Sequence, residues 1–203
     1  MNIRLCTFFI FVLSCSQPLL AKSGLGEYYY GFGYSVVDGS GDLERKGNFL
    51  RLSAHGLNDS ASDLSAYVDY GSVDSNGTDG TSWNLGVNYL VHYEDLTGPN
   101  SRLHPFVGLG FSYLDEETPI RLKEDGFLWS LFLGSELKIT NSLSAFLGGT
   151  FYGLWSEFGT NDLTIDSGLT WWIDNEHGVL FEYAHSLDAE LNQFTIKYLY
   201  CWQ

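Results

Sequence analysis

A strict alternation of large apolar residues with small or polar ones runs through this sequence from Glu27 onward, and it constrains the fold more than any other feature. In the first alternating segment the apolar positions are Tyr28, Tyr30, Phe32, Tyr34 and Val36. Successive side chains of a β-strand point to opposite faces, so a period of two predicts strands with one apolar and one polar face. About ten such segments, separated by turn-forming residues, predict an all-β chain.

These segments have the length of strands that cross a bilayer at a tilt, roughly 9–11 residues. An even number of strands returns the chain to the side where it began, and closure leaves no unpaired strand edge in lipid. We therefore predict a closed antiparallel transmembrane β-barrel of about ten strands, with eight as the alternative. The predicted outer loops are residues 38–47, 74–81, 115–126, 156–161 and 186–192, and the opposite turns are residues 57–62, 94–103, 140–142 and 174–178.

Alternation alone does not decide which face of the strands points inward, and a soluble barrel with an apolar interior is the rival fold. The polar face is rich in glycine and serine, which suits a crowded lumen, and the apolar face holds more large side chains than a small barrel can pack inside. Aromatic residues lie near strand ends on the apolar face, where a membrane interface favours amphipathic rings. The predicted aromatic girdle comprises Trp83, Tyr93, Tyr113, Phe127, Trp155, Trp171 and Trp202.

The polar face also carries charged residues, which we expect to lie in the lumen. An unpaired charge is costly to bury, so these side chains are expected to form a network of pairs. A proton or ion pathway is the alternative interpretation of the same residues. The predicted lumen polar network comprises Arg51, Asp69, Glu136, Lys138, Asp166, Glu182 and Lys197.

The beginning of the sequence has the pattern of a targeting segment. It carries an early cation, Arg4, then an apolar run over residues 5–13, then small residues around Ala21. This order is typical of a signal peptide, so residues 1–23 are predicted to be the signal peptide and residues 24–203 the barrel domain. The apolar run is shorter than the roughly 20 residues that a spanning helix needs.

Lipoprotein processing at Cys15 is an alternative to ordinary cleavage, because residues 12–15 loosely resemble a lipobox. Of the three cysteines, Cys6 and Cys15 lie in the predicted leader. Ordinary cleavage would leave Cys201 without an intramolecular disulfide partner.

The charge balance excludes one class of function. The chain has 10 Lys and Arg against 25 Asp and Glu. Nucleic-acid binding is not expected, because phosphate contacts need clustered cations. The acidic residues are concentrated in predicted turns such as residues 115–117, where solvation accounts for them.

Residues 104–113, with the sequence HPFVGLGFSY, resemble a strand that is common in the outer-membrane-protein β-barrel superfamily, the group of small OmpA-like and opacity-type porin-like barrels. The closing strand, with Tyr198, Tyr200 and Trp202, is similar to the assembly signal of this class. It departs from the usual form because Gln203 is terminal and Lys197 stands where glycine is common. The resemblance implies the outer membrane of a Gram-negative envelope and a structural, adhesive or weakly porin-like role.

One pair of residues raises an enzymatic alternative, a lipid-modifying barrel similar to the lipid A deacylase family. His185 and Ser186 lie at the end of a late strand, with Asp188 and Glu190 nearby. A serine nucleophile needs a base within hydrogen-bond reach, but directly adjacent residues of a strand point to opposite faces. The loops look too short for omptin-type proteolysis. We therefore predict no catalytic site.

No metal or cofactor is predicted either. His55 and His92 lie on the polar face of separate strands, without the close spacing of metal ligands. Residues 38–44 and 74–79 place oxygen-bearing side chains at alternate positions, as a calcium loop does. The same residues are the usual turn formers, and turn chemistry explains them more simply.

Together these observations predict a non-enzymatic barrel of the cell outer membrane with a structural or surface-interaction role. A narrow porin-like channel is the first alternative and a lipid-modifying enzyme the second. The expected partners are outer-membrane lipid and lipopolysaccharide, and the barrel-assembly machinery during insertion. The sequence predicts no oligomeric state.

Overall fold

The computed structural model describes residues 25, 27–39, 44–59, 61–93, 102–118, 120, 125–157 and 161–202. Within these residues the chain forms ten strands. They are β1 (Tyr29–Gly39), β2 (Arg45–Asp59), β3 (Ser62–Ser75), β4 (Thr78–His92), β5 (Leu103–Glu116), β6 (Gly126–Lys138), β7 (Leu143–Leu154), β8 (Asn161–Trp172), β9 (His177–Ser186) and β10 (Leu191–Cys201). The predicted signal peptide, residues 1–23, and the alternative processing site at Cys15 lie outside the described residues.

The sheet closes on itself. Each strand pairs antiparallel with its neighbours in sequence, and β1 also pairs antiparallel with β10. The closing ladder runs from Tyr29 opposite Cys201 to Gly39 opposite Leu191. Closure gives every strand a hydrogen-bonded neighbour on both sides, which a sheet in lipid requires. The prediction of a closed antiparallel barrel of about ten strands is confirmed.

The two rims of the barrel differ in what they carry. The even strand number brings Tyr29 and Cys201 to the same rim, here called the terminal rim. The opposite rim, here called the loop rim, carries the β3–β4 hairpin, whose two-residue turn is Asn76 and Gly77. These residues have φ angles of 54° and 77°, which suit an Asn-Gly turn of type I′. Asp74 Oδ1 accepts a hydrogen bond of 2.9 Å from Gly77 N, so this aspartate stabilises the turn.

The apolar faces of the strands point away from the barrel interior. Phe32 is 53% exposed and Leu133 is 69% exposed, whereas Gly31 and Gly33 on the polar face of β1 are buried. A soluble barrel would bury these apolar side chains, and so large an exposed apolar surface is stable only against lipid. No helix long and apolar enough to cross a membrane occurs in the described part of the chain.

Glycines on the polar face make room for large side chains that fill the lumen. Gly86 of β4 lies opposite Tyr67 of β3. A Cβ placed on Gly86 would lie 2.5 Å from Tyr67 Cζ, so any larger residue would displace the phenol ring. The abundance of glycine on this face therefore has the physical reason that the sequence suggested, namely crowding inside a narrow barrel.

The outward orientation predicts a depth-dependent cost of placing charge on the apolar face. Leu133, in the middle of β6, and Phe127, near its loop-rim end, are both 69% exposed. We expect Leu133→Arg to destabilise the barrel by about 2–4 kcal/mol and Phe127→Arg by about 1 kcal/mol, because the bilayer midplane tolerates a cation less than the interface does. Denaturant titration of the folded protein in lipid vesicles measures both values. Equal, small effects of the two substitutions would contradict a membrane-spanning orientation.

Candidate functional site

The lumen carries five charged residues about halfway along the strands, here called the charge belt: Arg51, Asp69, Asp166, Glu182 and Lys197. Arg51 of β2 lies directly opposite Asp69 of β3. Its Nε lies 2.5 Å from Asp69 Oδ1 and its Nη2 lies 2.6 Å from Asp69 Oδ2. Arg51 Cζ also lies 4.9 Å from the centroid of the Tyr67 ring. This two-bond geometry with an aromatic support is a strong form of ion pair.

Lys197 of β10 is the second cation of the charge belt. Its Nζ lies 2.7 Å from Glu182 Oε2 on the neighbouring strand β9. On its other side, Lys197 is opposite Gly33 of β1, and a Cβ placed on Gly33 would lie 2.6 Å from Lys197 Cγ. Because position 33 is a glycine, the apolar stem of the lysine can lie over β1 on the inner face of the barrel. Each cation of the charge belt is paired with one carboxylate.

Asp166 is held by hydroxyl groups. Its Oδ2 accepts hydrogen bonds from Thr150 Oγ1 at 2.6 Å and Thr164 Oγ1 at 3.3 Å. The residues directly opposite Asp166 are Gly148 on β7 and Ala184 on β9. Among the residues that the structure describes, no Lys, Arg or His forms an ion pair with Asp166. The charge belt therefore contains one carboxylate without a cation.

The other two residues of the predicted lumen network lie nearer the terminal rim. Glu136 is buried and accepts a hydrogen bond of 2.6 Å from Ser144 Oγ across the β6–β7 ladder. Lys138 is the last residue of β6, outside both ion pairs of the charge belt, and its backbone N donates to Arg102 O. The structure thus separates these two residues from the five that form the belt.

A second polar cluster, at the terminal rim, includes a residue that the sequence did not single out. Asp63 Oδ2 is hydrogen-bonded to His92 Nε2 and lies 3.7 Å from His55 Nε2. His55 Nδ1 lies 2.9 Å from Glu27 O, and its ring stacks on Tyr29 with centroids 4.6 Å apart. In the sequence, Asp63 was recognisable only as a residue at the beginning of the polar face of β3. No group of three ligands positioned for a metal ion occurs in the described part of the chain.

At the loop rim the lumen is filled by a cluster of apolar side chains, here called the apolar plug: Val37, Phe49, Val73, Ile120 and Leu191. All five are at most 4% exposed. Four of them project inward from β1, β2, β3 and β10, and Ile120 belongs to the connection between β5 and β6. A side chain lining an open, water-filled mouth would contact water, and these do not.

Polar contacts fix Ile120 across the mouth of the barrel. Its backbone N donates to Glu116 Oε2 at 3.0 Å, and its carbonyl O accepts from Arg45 Nη1 at 3.3 Å. Glu116 is itself buried and also accepts a hydrogen bond from Ser82 Oγ at 3.1 Å. Because Arg45 starts β2 and Glu116 ends β5, the two contacts attach Ile120 to different sides of the wall. None of these roles was visible in the sequence, where Glu116 belongs to an acidic turn.

A second apolar cluster completes the loop-rim layer on the opposite wall. Leu114, Leu128 and Leu154 of β5, β6 and β7 are at most 7% exposed and pack together inside the barrel. Beside them, Asp162 of β8 accepts hydrogen bonds from Tyr152 Oη and from Ser186 Oγ. Apolar packing and hydrogen bonds thus hold the inward side chains of both walls in place at the loop rim.

His185 and Ser186 do not come together. Ser186 points into the barrel, where it bonds to Asp162, and Ala189 N donates to Ser186 Oγ at 3.1 Å. His185 lies on the other face of β9, and its Nδ1 lies 3.0 Å from Asn192 Oδ1. A nucleophile and its base need to share a face, and these two residues do not.

Below the loop-rim layer the lumen holds a cavity of about 440 Å³. It extends from Leu114 and Leu128 towards Tyr29 and Leu25 at the terminal rim. Its wall combines the charged residues Arg51, Glu136, Asp166, Glu182 and Lys197 with the aromatic rings of Tyr67, Phe106, Phe132, Phe146 and Tyr152. A cavity of this size and mixed lining is in the range of small-molecule sites.

Four of the predicted girdle residues lie near the loop rim. The Trp83 and Tyr113 rings have centroids 5.3 Å apart, and the Tyr113 and Phe127 rings have centroids 5.0 Å apart. Trp155 packs against Phe111 with centroids 5.8 Å apart. These rings form a band on the lipid-facing surface.

The other three lie near the terminal rim. Trp202 stacks on Tyr30 with centroids 4.0 Å apart, Tyr93 follows the last residue of β4, and Trp171 lies opposite Leu143, the first residue of β7. Two aromatic bands at opposite strand ends are the arrangement that the two interfaces of a membrane favour.

No protein-family model and no curated protein matches this chain. Solved structures do match. The translocator domain of the autotransporter NalP from Neisseria meningitidis is 8% identical, with 98% of this chain and 96% of that one covered and a TM-score of 0.56. The β domain of the Bordetella autotransporter BrkA is 12% identical, with 87% and 99% covered and a TM-score of 0.47. The KdgM porin, in complex with disordered oligogalacturonate, is 9% identical, with 86% and 99% covered and a TM-score of 0.46.

At these identities the similarity concerns the fold. The fold is shared with outer-membrane β-barrel proteins, as the resemblance of residues 104–113 implied. With a closed ten-stranded barrel and an apolar exterior, the chain has the architecture that spans this membrane. The chain therefore has the fold of outer-membrane β-barrel proteins, which is consistent with a location in the cell outer membrane.

Proposed function

We propose that this protein is a non-enzymatic outer-membrane barrel whose lumen is closed at the loop rim, and that its role is structural or lies in contacts made by its outer surface. The single observation that carries the proposal is the apolar plug together with the leucine cluster of β5, β6 and β7. Water does not wet a dry apolar layer of this kind, and ions need water to cross it. A lumen so closed does not conduct.

The absence of an enzymatic role is part of the proposal, and the positions of His185 and Ser186 support it. The two side chains lie on opposite faces of β9, and Ser186 is engaged by Asp162. Lipid substrates reach only the outward face of a barrel, where His185 has Asn192 as its neighbour rather than a nucleophile.

The proposed partners follow from the surface of the barrel. The lipid-facing side chains contact outer-membrane lipid and lipopolysaccharide, and the aromatic bands set the depth of the barrel. Insertion of such a barrel is expected to use the barrel-assembly machinery, which the C-terminal alternation of Tyr198 and Tyr200 supports.

A narrow porin-like channel is the second candidate, because of the cavity of about 440 Å³ below the loop-rim layer. A channel would need the apolar plug to move aside. The two candidates therefore differ in one measurable property, the conductance of the purified protein.

We expect no discrete ohmic steps when the protein is reconstituted in planar bilayers, because the loop-rim layer is dry. The double substitution Phe49→Ala with Ile120→Ala removes the aromatic ring of the apolar plug and the side chain that lies in the mouth, and should produce such steps. Frequent steps from the unsubstituted protein would overturn the closed-lumen proposal and favour the channel.

The matched control for this experiment is Leu50→Ala. Leu50 neighbours Phe49 on β2 but is 49% exposed on the lipid-facing side. It should leave the conductance at the level of the unsubstituted protein. Retention of heat-modifiable mobility on gels checks that each variant is a folded barrel.

The proposal also assigns a structural role to the pairing of Arg51 and Asp69. We expect Asp69→Ala to destabilise the barrel by about 3 kcal/mol, because it leaves a partly buried guanidinium in the lumen without its carboxylate. The double substitution Arg51→Met with Asp69→Ala should recover much of this loss, since no unpaired charge remains. Denaturant titration in detergent micelles measures both; a double variant as unstable as the single one would argue against a purely structural pair.

A further inference from the structure

Asp166 stands apart from the other carboxylates of the charge belt. Asp69 is paired with Arg51 and Glu182 with Lys197, so these four residues neutralise one another. Asp166 accepts hydrogen bonds from two threonine hydroxyls, which bring no charge. A charge in a restricted, partly desolvated site is stabilised best by an opposite charge. Within the described residues the protein supplies none to Asp166.

The space beside Asp166 is open. Its two direct neighbours across the ladders, Gly148 and Ala184, are among the smallest residues available, and both line the cavity with Asp166 itself. Thr150 and Thr164 engage Oδ2, which leaves Oδ1 for another partner. The carboxylate is therefore fixed in orientation on one side and accessible from the cavity on the other.

Aromatic rings flank the same part of the cavity. The Phe146 ring covers Gly168, two residues from Asp166 on the same face of β8, and its Cζ would lie 2.7 Å from a Cβ on Gly168. Phe132 lies opposite Thr150, the closer hydroxyl donor to Asp166. Both rings line the cavity. The faces of aromatic rings attract cations, most strongly where water is excluded.

The charges of the cavity wall also favour a cationic ligand. Both cations that line the cavity, Arg51 and Lys197, are paired with carboxylates, whereas Asp166 is not paired with a cation among the described residues. A carboxylate next to aromatic rings, in a cavity of about 440 Å³, suits a positively charged ligand with an apolar body.

We propose that the cavity is a binding site for a small organic ammonium ion, with the cationic group at the Asp166 carboxylate and the apolar body against Phe132 and Phe146. The binding site does not rest on the closed lumen proposed above, because Asp166 faces the cavity whether or not the apolar plug moves.

The test uses benzyltrimethylammonium as the probe, since its charge is independent of pH and its body is apolar. Isothermal titration calorimetry of the full barrel in a non-ionic detergent should show saturable binding at one site. Asp166→Asn keeps the size and hydrogen-bonding capacity of the side chain but removes its charge, and should weaken binding about tenfold or more. Benzyl alcohol and phenylacetate, which are neutral and anionic, should bind far more weakly than the probe.

Two further variants make the result decisive. Asp79→Asn removes an exposed carboxylate near the loop rim and should bind as the unsubstituted protein does. Ala184→Leu keeps Asp166 but fills the space beside it, so it should also lose binding, and it decides the matter if Asp166→Asn does not fold. Absence of saturable binding, unchanged affinity in a folded Asp166→Asn variant, or equal affinity for benzyl alcohol would each overturn the proposal.

The outcome is independent of the conductance experiment. A conducting protein that binds the probe through Asp166 would overturn the closed lumen and keep the site. A non-conducting protein that does not bind the probe would keep the closed lumen and overturn the site.

Discussion

Backbone hydrogen bonding in a medium without water is the constraint on which the rest of this structure depends. A peptide N–H or C=O that faces lipid without a partner costs several kcal/mol, so a β-sheet is stable there only if it has no edge. The ladder between β1 and β10 removes the last edge. Once it has formed, the period of two along each strand decides the rest: one face must suit lipid and the other a narrow interior.

The side chains that fill the interior differ between the middle of the barrel and its two rims. Halfway along the strands, where charges are far from either rim, Arg51 and Lys197 are each paired with a carboxylate from an adjacent strand. At the loop rim, apolar side chains pack in two clusters, and Glu116 holds Ile120 in the mouth by a hydrogen bond. At the terminal rim, Asp63 holds His92 close to His55. Charge is thus tolerated in this barrel where a neighbouring strand supplies a partner.

The apolar clusters at the loop rim lie above a cavity in the lumen, and such a cavity is not by itself a channel. A continuous channel needs both ends open, whereas a pocket needs one. Small residues, Gly148 and Ala184, flank Asp166 of β8, whereas Arg51 and Lys197 extend long side chains into the lumen from β2 and β10, and all of them line the cavity.

Much of this fold could be predicted from the sequence because the signals are local. The alternation from Tyr28 to Val36 specifies a strand and its two faces, and Asn76-Gly77 specifies a tight hairpin. Residues of the charge belt could be assigned to the polar face for the same reason. Their partners could not, since which cation meets which carboxylate depends on the register between strands, and a shift of two residues would pair Arg51 with Tyr67 or Gly71 rather than Asp69.

The sequence by itself therefore determined that the chain forms an all-β barrel with an apolar exterior, because period and composition act within each strand. The tertiary structure alone decided that Ile120 enters the mouth, that Ser186 binds Asp162 rather than His185, and that Asp166 lacks a cation among the described residues. These are contacts between segments far apart in the chain. They arise only when closure fixes the register of all ten strands at once.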